Sequence, residues 1–296
     1  MKFRNTRVSN FEGALRGMRN PLASWNRSDS LFGISTYDNM PEYEVAYSWV
    51  EKTNPGLDHE TGSFTDFQDQ YAEWLRDNGE IQFNNKDELV EYVFIGPNDM
   101  DLAMRLCNAG SEHRKFLRQI QVCVDITAPL YWWKEFDTYK VGTAANSTST
   151  MHKLASNPIT IDCFETDDYE PKLIFEEGID DHGDTPWDYH IAIEDVVGEK
   201  EDNVYWPDST LIGFLESLRL KYNETKDKRY WKELVRWLPE GWLQTRTVTM
   251  NYENLRAICH QRGGHKLTEW HQFIDWAHDC LPYAPQLIFG EEIAIQ

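Results

Sequence analysis

Residues 110–153 read "GSEHRKFLRQIQVCVDITAPLYWWKEFDTYKVGTAANSTSTMHK". Apolar and polar residues alternate in "QIQVCVDI", which is the period-two pattern of a β-strand. Pro129 then suits the first turn of a helix through "LYWWKEFDTYK". A polar stretch with a small-residue hinge at Gly142 follows the helix. The segment therefore predicts a strand, a helix and a polar loop in direct succession.

Comparable patterns predict the elements on either side. The residues "GPNDMDLAMRLCNAG" predict a helix with Asn98 or Asp99 as its N-cap and Gly110 as its end. A second helix, with Ser111 as its cap, is predicted from "SEHRKFLRQ". Beyond residue 225, "DKRYWKELVRWL" predicts a helix, "TRTVTM" a strand, and "YENLRAICHQR" and "KLTEWHQFIDWAHDCL" two further helices. The order predicts one α/β (α+β) domain over residues 1–296.

The charge is large, negative and uneven. The chain has 50 acidic and 29 basic residues and a net charge of −21, which repels polymeric nucleic acid and anionic membranes. Residues 165–202 carry 15 of the acids and only two lysines. With its prolines, the 155–205 segment is predicted to be an acidic insertion within the domain. Basic residues concentrate in 105–153 and 244–266. A small anionic ligand and chance clustering of surface charge both fit that concentration.

Other sequence features exclude several classes of protein. The five cysteines are odd in number and lack C-x-x-C spacing, which indicates reduced thiols without a disulfide framework. No apolar signal core or membrane span is present, so a cytoplasmic protein is expected. The serine-hydrolase elbow and the glycine-rich nucleotide motifs are missing. The C-terminal histidines match no tight metal-binding spacing, and no metal site is predicted.

The polar stretch has the chemistry of a nucleotide-binding loop. Ser147, Thr148 and Ser149 offer hydroxyl and backbone donors of the kind that hold a phosphate. Asn146 can donate and accept, which suits a pyrimidine edge or a ribose hydroxyl. The alternative is a solvated connector whose Ser and Thr residues form local turns.

Residues 110–153 resemble the core of the flavin-dependent thymidylate synthases. That family has an alternating strand ending in A-P, a helix, and then R-H-R-x-x-S-x-N-E-x-S-x-R-Y. Ala128 and Pro129 match the A-P, and "NSTS" at residues 146–149 matches N-E-x-S. A second block, "WLPEGWLQTRTVTMNYENLRAICHQR", is similar to the family's L-P…N-x-R-x-L…R segment. Asn251 and Arg262 fall at its spacing.

The chain also departs from the family pattern. The R-H-R triplet falls at Thr138-Tyr139-Lys140, where one positive charge survives. Ser147 stands where the motif has Glu, and Met151-His152 stand where it has Arg-Tyr. Glu253 occupies the arginine position of N-x-R.

The resemblance implies a single domain with a mixed sheet flanked by helices. It also implies a homotetramer that methylates dUMP at C5, with FAD as cofactor and NADPH and methylenetetrahydrofolate as co-substrates. No protein nucleophile is required in that scheme. Ser149 and Arg262 are the predicted catalytic residues, and they also bind substrate together with Asn146, Ser147 and Thr148. The predicted cofactor-binding residues are His113, Arg118, Lys140 and Asn251.

Two alternatives remain open. The changed segment 146–152 fits a related transferase that adds another one-carbon group, such as a hydroxymethyl, to dUMP or dCMP. A non-catalytic nucleotide-binding protein on the same fold is the second, because fold alone does not fix function.

Overall fold

A computed structural model of the chain describes residues 1–36, 82–84, 89–149, 153–166 and 211–291. None of the helices in these ranges is long and apolar enough to cross a membrane. All five cysteines are free thiols. Most of the predicted acidic insertion, residues 167–205, lies outside the described ranges, as do Thr150, Met151 and His152 of the polar stretch.

The described residues before 150 form six strands and three helices, joined in part by 3-10 turns. The strands are β1 (Lys2–Ser9), β2 (Leu31–Thr36), β3 (Gln82–Asn84), β4 (Leu89–Phe94), β5 (Gln121–Pro129) and β6 (Ala144–Ser147). The helices are α1 (Phe11–Arg19), α2 (Pro97–Ala109) and α3 (Leu130–Phe136). Short 3-10 helices cover Asn20–Leu22, Trp25–Arg27 and Lys115–Gln119.

The described residues after 150 are mainly helical. A 3-10 turn at Ile161–Cys163 comes first. It is followed by α4 (Leu211–Thr225), α5 (Lys228–Arg236), β7 (Leu243–Asn251), α6 (Tyr252–Arg262) and α7 (Thr268–Cys280). A single turn of π-helix at Pro285–Phe289 is the last of these elements. Helices and strands thus combine as the α/β prediction requires.

The strands form two sheets. The larger has the order β1-β5-β7-β6 and contains both strands predicted from sequence. The smaller is antiparallel, with β4 between β2 and β3, and pairs Leu31 with Phe94 and Gln82 with Val93. The strand β5 is central because its alternating apolar side chains at Val122, Val124 and Ile126 are fully buried.

The residues divide into two compact units. Unit 1 comprises Met1–Lys2, Ile126–Thr138 and Asn146–Thr247, and unit 2 comprises Phe3–Asp125, Tyr139–Ala145 and Val248–Gln296. In unit 1, the rings of Trp132 and Phe136 stack with centroids 5.1 Å apart. Ile159 and Phe164, from the start of the predicted insertion, pack in the same unit against helices α4 and α5. Those first residues of the insertion therefore belong to a hydrophobic core.

Unit 2 has its own core, to which α1, the 3-10 helix before β5, and helices α6 and α7 contribute. Its fully buried large side chains are Leu15, Phe94, Leu117, Ile120, Tyr252, Trp270 and Phe273. The hydroxyl of Tyr252 donates to the carbonyl of Pro282 at 2.6 Å, so even the polar atom of this buried ring has a partner.

Three local predictions are wrong, each for a physical reason. The N-cap of α2 is Gly96 rather than Asn98 or Asp99, because Pro97 takes the first helical position. The backbone N–H groups of Asn98 and Asp99 donate to the carboxylate of Asp29 at 2.9 and 3.0 Å. Burial raises the pKa of this Asp29 carboxyl, although those two N–H groups act in the opposite direction.

The second wrong prediction is the helix at "SEHRKFLRQ". Ser111 lies in a turn, and only a 3-10 helix, Lys115–Gln119, follows it. The third concerns the polar stretch: Asn146 and Ser147 belong to the short strand β6, not to a loop. As the last strand in its sheet, β6 gains backbone partners that a polar sequence does not reveal.

Candidate functional site

Arg262 is held in unit 2 by two aromatic side chains. Its Nε donates to the hydroxyl of Tyr139 at 2.8 Å. Its guanidinium carbon lies 4.6 Å from the ring centroid of Trp270 and 5.5 Å from that of Tyr139. A guanidinium between two rings gains cation–π attraction and keeps a defined orientation. We call Arg262, Tyr139 and Trp270 the Arg262 cluster.

The polar residues near Gly142 are packed against the start of α6. Asn251 is the N-cap of this helix: its side chain accepts from the N–H of Asn254 at 2.9 Å, and Asn254 returns a bond to the N–H of Asn251. The amide of Asn254 also donates to the carbonyl of Val141 at 2.7 Å. Asn251 was predicted to bind the cofactor; the structure shows it as a helix cap.

Gly142 allows this close approach. Its φ is +79°, a conformation that residues with a Cβ rarely adopt, and a Cβ here would lie 2.6 Å from the side-chain oxygen of Asn254. The segment after α3 and the segment after β7, more than 100 residues apart in sequence, therefore meet through Gly142 and through the Arg262 cluster.

Glu253 has a partner that explains its place in the motif. Where the family motif has arginine, Glu253 accepts a bond of 2.8 Å from Nε of Arg114, and both side chains are mostly buried. Arg114 also donates to the carbonyl of Cys107. Arg114 therefore neutralises the Glu253 carboxylate, and the pair places no uncompensated negative charge in this region.

The segment 146–149 lies in unit 1, where β7 holds it. The N–H of Thr148 donates to the carbonyl of Thr245 at 2.9 Å, and the carbonyl of Thr148 accepts from the side chain of Gln244 at 2.9 Å. The side chains of Asn146, Ser147 and Thr148 are exposed, whereas Ser149 is half-buried. The hydroxyl and amide donors predicted for a nucleotide are therefore presented on a fixed backbone.

Two residues that the sequence did not identify support this segment. The side chain of Gln244 accepts from Nε of Arg246 at 3.0 Å and donates to the carbonyl of Thr148. Gln244 therefore connects Arg246 to the segment 146–149. The guanidinium of Arg246 packs 4.3 Å from the ring of Trp133 and donates to Asp137 at 2.7 Å. Residues two apart on a strand share a face. The two-residue spacing of Gln244 and Arg246 is the sequence pattern that could have predicted their contact.

The predicted cofactor-binding cations all lie in unit 2 and face solvent. His113 is 54% exposed, with its Nε2 3.7 Å from Glu112. Arg118 and Lys140 are exposed, and their side chains form no hydrogen bond or ion pair within the described ranges. Such unengaged cations fit a pyrophosphate in charge and in donor type. Arg114, engaged with Glu253, is not available in the same way.

The C-terminal histidines take part in separate contacts. His271 contacts the carbonyl of His265 at 2.8 Å, and His278 lies between Asp279 and Glu291. Across the residues that the structure describes, no three His, Cys, Asp or Glu side chains come together as metal ligands would.

Comparison with known proteins gives structural neighbours only. No family model and no curated protein matches the chain. It is similar to a crystal structure of flavin-dependent thymidylate synthase ThyX from Helicobacter pylori complexed with FAD and dUMP. The identity is 17%, the TM-score is 0.42, and 65% of this chain and 83% of that chain are covered.

A second structure of Helicobacter pylori ThyX, also with FAD and dUMP, covers 97% of both chains at 12% identity and a TM-score of 0.49. These neighbours come from the family whose motifs residues 110–153 resemble.

Proposed function

We propose that the protein is a thymidylate synthase-like enzyme that binds dUMP and FAD and methylates dUMP at C5. The observation that carries the proposal is the contact between the two sequence blocks that resemble the flavin-dependent thymidylate synthases. Tyr139 and Val141 from the first block hydrogen-bond to Arg262 and Asn254 from the second. One part of each sequence block, Tyr139–Ala145 and Val248–Arg262, therefore packs against the other within unit 2.

The proposed nucleotide ligands are Asn146, Ser147, Thr148, Ser149 and Arg262. The hydroxyls and the amide supply neutral donors, and Arg262 supplies a charge whose orientation the aromatic rings maintain. Ser149 and Arg262 contact the reacting nucleotide in this proposal, and orient it. Arg246, linked through Gln244 to Thr148, joins them as a supporting cation.

FAD, with NADPH and methylenetetrahydrofolate, would supply the redox and one-carbon chemistry that protein side chains lack. His113, Arg118 and Lys140 are the cations proposed to hold its phosphates, since they are exposed and in the same unit. A homotetramer, as the resemblance implies, and a cytoplasmic location, as the reduced thiols indicate, complete the proposal.

The proposal is tested by calorimetric titration with dUMP. Ser149→Ala and Arg262→Ala should each weaken binding about tenfold to a hundredfold, because a hydrogen bond to a charged group contributes about 1.5–3 kcal/mol. Ser156→Ala and Arg229→Ala serve as matched controls, since both residues are exposed and outside the proposed site. Affinity that is unchanged in both site variants would contradict the assignment.

The activity itself requires a product assay. In this assay, dUMP or dCMP is incubated with the protein, FAD, NADPH and methylenetetrahydrofolate. Mass spectrometry then measures the masses of the nucleotide products. A methylated dUMP supports the proposal. A hydroxymethylated product would identify the related transferase, and dUMP binding without any product or flavin reduction would identify a non-catalytic nucleotide-binding protein.

A further inference from the structure

A polar cleft lies in unit 2, and none of the residues that line it is proposed above to bind dUMP or FAD. Its volume is about 640 Å³, and it opens between the two 3-10 turns that follow α1 and the first half of α2. Small-molecule sites usually measure about 300–1,000 Å³. The size therefore suits a ligand such as a sugar phosphate.

The walls of the cleft are basic in a strongly acidic chain. Arg19, Arg27 and Arg105 line it, and among the described residues Asp101 is the single acid in its lining. The whole chain carries a net charge of −21. A local excess of positive charge within a repulsive field is what a small anion would require in order to bind.

Several hydrogen-bond donors that line this cleft are available to a ligand. The side chains of Ser24, Asn26, Arg27 and Asn98 line it, and none of them forms a hydrogen bond or ion pair within the part of the chain that the structure describes. Together they offer a guanidinium, two amides and a hydroxyl. The N–H groups at the start of α2 are not part of this set, because Asp29 accepts from them.

The other arginines differ in how firmly they are held. Arg19 is buried and paired with Asp99, so its charge is already neutralised. Arg105 is paired with Asp101 in an exposed i,i+4 pair, 67% and 66% exposed. Such an exposed pair contributes little to stability, so a bound phosphate can replace it.

The floor of the cleft is preorganised. Ala23 has a φ of +46°, which is unusual for a residue with a side chain, and its N–H donates to the carbonyl of Asn20 at 3.1 Å. Trp25 donates to the side chain of Asn20 at 2.9 Å. Leu22, 83% exposed, and Leu102 add an apolar wall. Fixed backbone and an apolar wall beside free donors suit a ligand with a phosphate and a compact organic part.

We propose that this cleft binds a phosphorylated small molecule, with Arg27 and Arg105 on the phosphate and Asn26 and Asn98 on neighbouring oxygens. Bidentate guanidinium–phosphate contacts supply most of the affinity. The site is independent of the proposed dUMP site, since no residue is shared.

The experiment is calorimetric titration of the full chain with pyrophosphate, ribose 5-phosphate and, as the uncharged comparison, ribose. Arg27→Ala should lower the affinity for the phosphates about tenfold or more, the loss expected for one charged hydrogen-bonding group. Asp101→Asn should raise the affinity, because it removes an acid that lines the cleft and releases Arg105 from its ion pair. Arg16→Ala, at an exposed arginine of α1 outside the cleft, should have no effect.

Three results would overturn the proposal. The first is a parent protein that binds neither phosphate. The second is binding that Arg27→Ala and Asp101→Asn leave unchanged, and loss in Arg262→Ala instead would assign the phosphate to the proposed dUMP site. The third is binding of an oligoglutamate peptide in place of the phosphates, which would make the cleft a peptide site. Arg27 is exposed, so its variant should fold, and circular dichroism checks this.

Discussion

Replacing Asp99 with alanine should destabilise the protein strongly, because Asp99 neutralises a buried arginine. The Asp99 side chain is fully buried, and that of Arg19 is 5% exposed. One carboxylate oxygen accepts from Nε of Arg19 at 2.5 Å. The other accepts from the hydroxyls of Ser28 and Ser30 at 2.7 and 2.6 Å. Without the carboxylate, the guanidinium keeps, within the described ranges, a long contact of 3.5 Å to the carbonyl of Ser24.

The expected loss is about 3–5 kcal/mol, the usual cost of removing one partner of a buried ion pair. Asp101, two residues further along the same helix, is the matched control. Its pair with Arg105 is exposed, so Asp101→Ala should cost about 0.5 kcal/mol or less. Both variants remove one negative charge from the chain, so the change in net charge cancels in the comparison.

Urea unfolding at neutral pH, followed by circular dichroism, measures both losses. The double variant Arg19→Met/Asp99→Ala should recover part of the stability, because it removes the unpaired buried charge. If Asp99→Ala and Asp101→Ala differ by less than about 1 kcal/mol, a value typical of exposed pairs, Arg19 and Asp99 do not form a buried pair in solution.

Three further predictions concern the region around the proposed site and the C-terminus. Gly142→Ala should lower the free energy of unfolding by about 1–2 kcal/mol, because Gly142 has a positive φ. Gly264→Ala is the control and should cost much less, because a Cβ at Gly264 meets nothing within 4 Å. Urea unfolding measures both variants. His278→Gln should destabilise the protein at about pH 6 and hardly at about pH 9, because the hydrogen bond that the His278 ring donates to Asp279 raises the pKa of His278 above its ordinary value. The stabilisation is present below the ordinary pKa of about 6.5 and is lost as the pH rises through the raised pKa. An equal loss at both ends of the pH range in thermal unfolding would contradict this. FAD affinity should fall with salt and in Lys140→Ala, because exposed contacts are screened over about 8 Å at physiological salt; tight, salt-independent binding in fluorescence titrations would show that FAD binds elsewhere.

The elements that sequence predicted well are those whose pattern is local. The alternation in β5 and the amphipathic spacing in α6 and α7 follow from which face each element buries, and these boundaries hold to within a few residues. Gly110 ends α2 as predicted, with a φ of +128°. Helix α4 and the N-terminal β1 and α1 were not predicted, although their buried residues contribute to the cores of both units.

The features that the sequence did not reveal depend on partners distant in sequence. Asn98 or Asp99 was expected to be the N-cap of α2, but the N-cap is Gly96, and the first N–H groups of the helix donate to Asp29, about 70 positions earlier. Asn251 matched the family motif as a cofactor ligand, and the same residue type is also among the best N-caps. Sequence spacing alone does not distinguish a side chain that caps a helix from one that faces a ligand. The Gln244–Thr148 bond, 96 residues apart, was hidden for the same reason.

Two departures from the family motif are explained by hydrogen bonds to arginine. Tyr139 stands where R-H-R has a charged or ionisable group, and it accepts from Arg262 of the second block. Glu253 stands where N-x-R has arginine, and it accepts from Arg114, which precedes β5. At these two positions the new side chain therefore accepts a hydrogen bond from an arginine of the other block. In the function proposed above, a pyrophosphate would depend on the exposed Lys140 and Arg118, whereas the nucleotide would be bound by Arg262, whose orientation Tyr139 and Trp270 maintain.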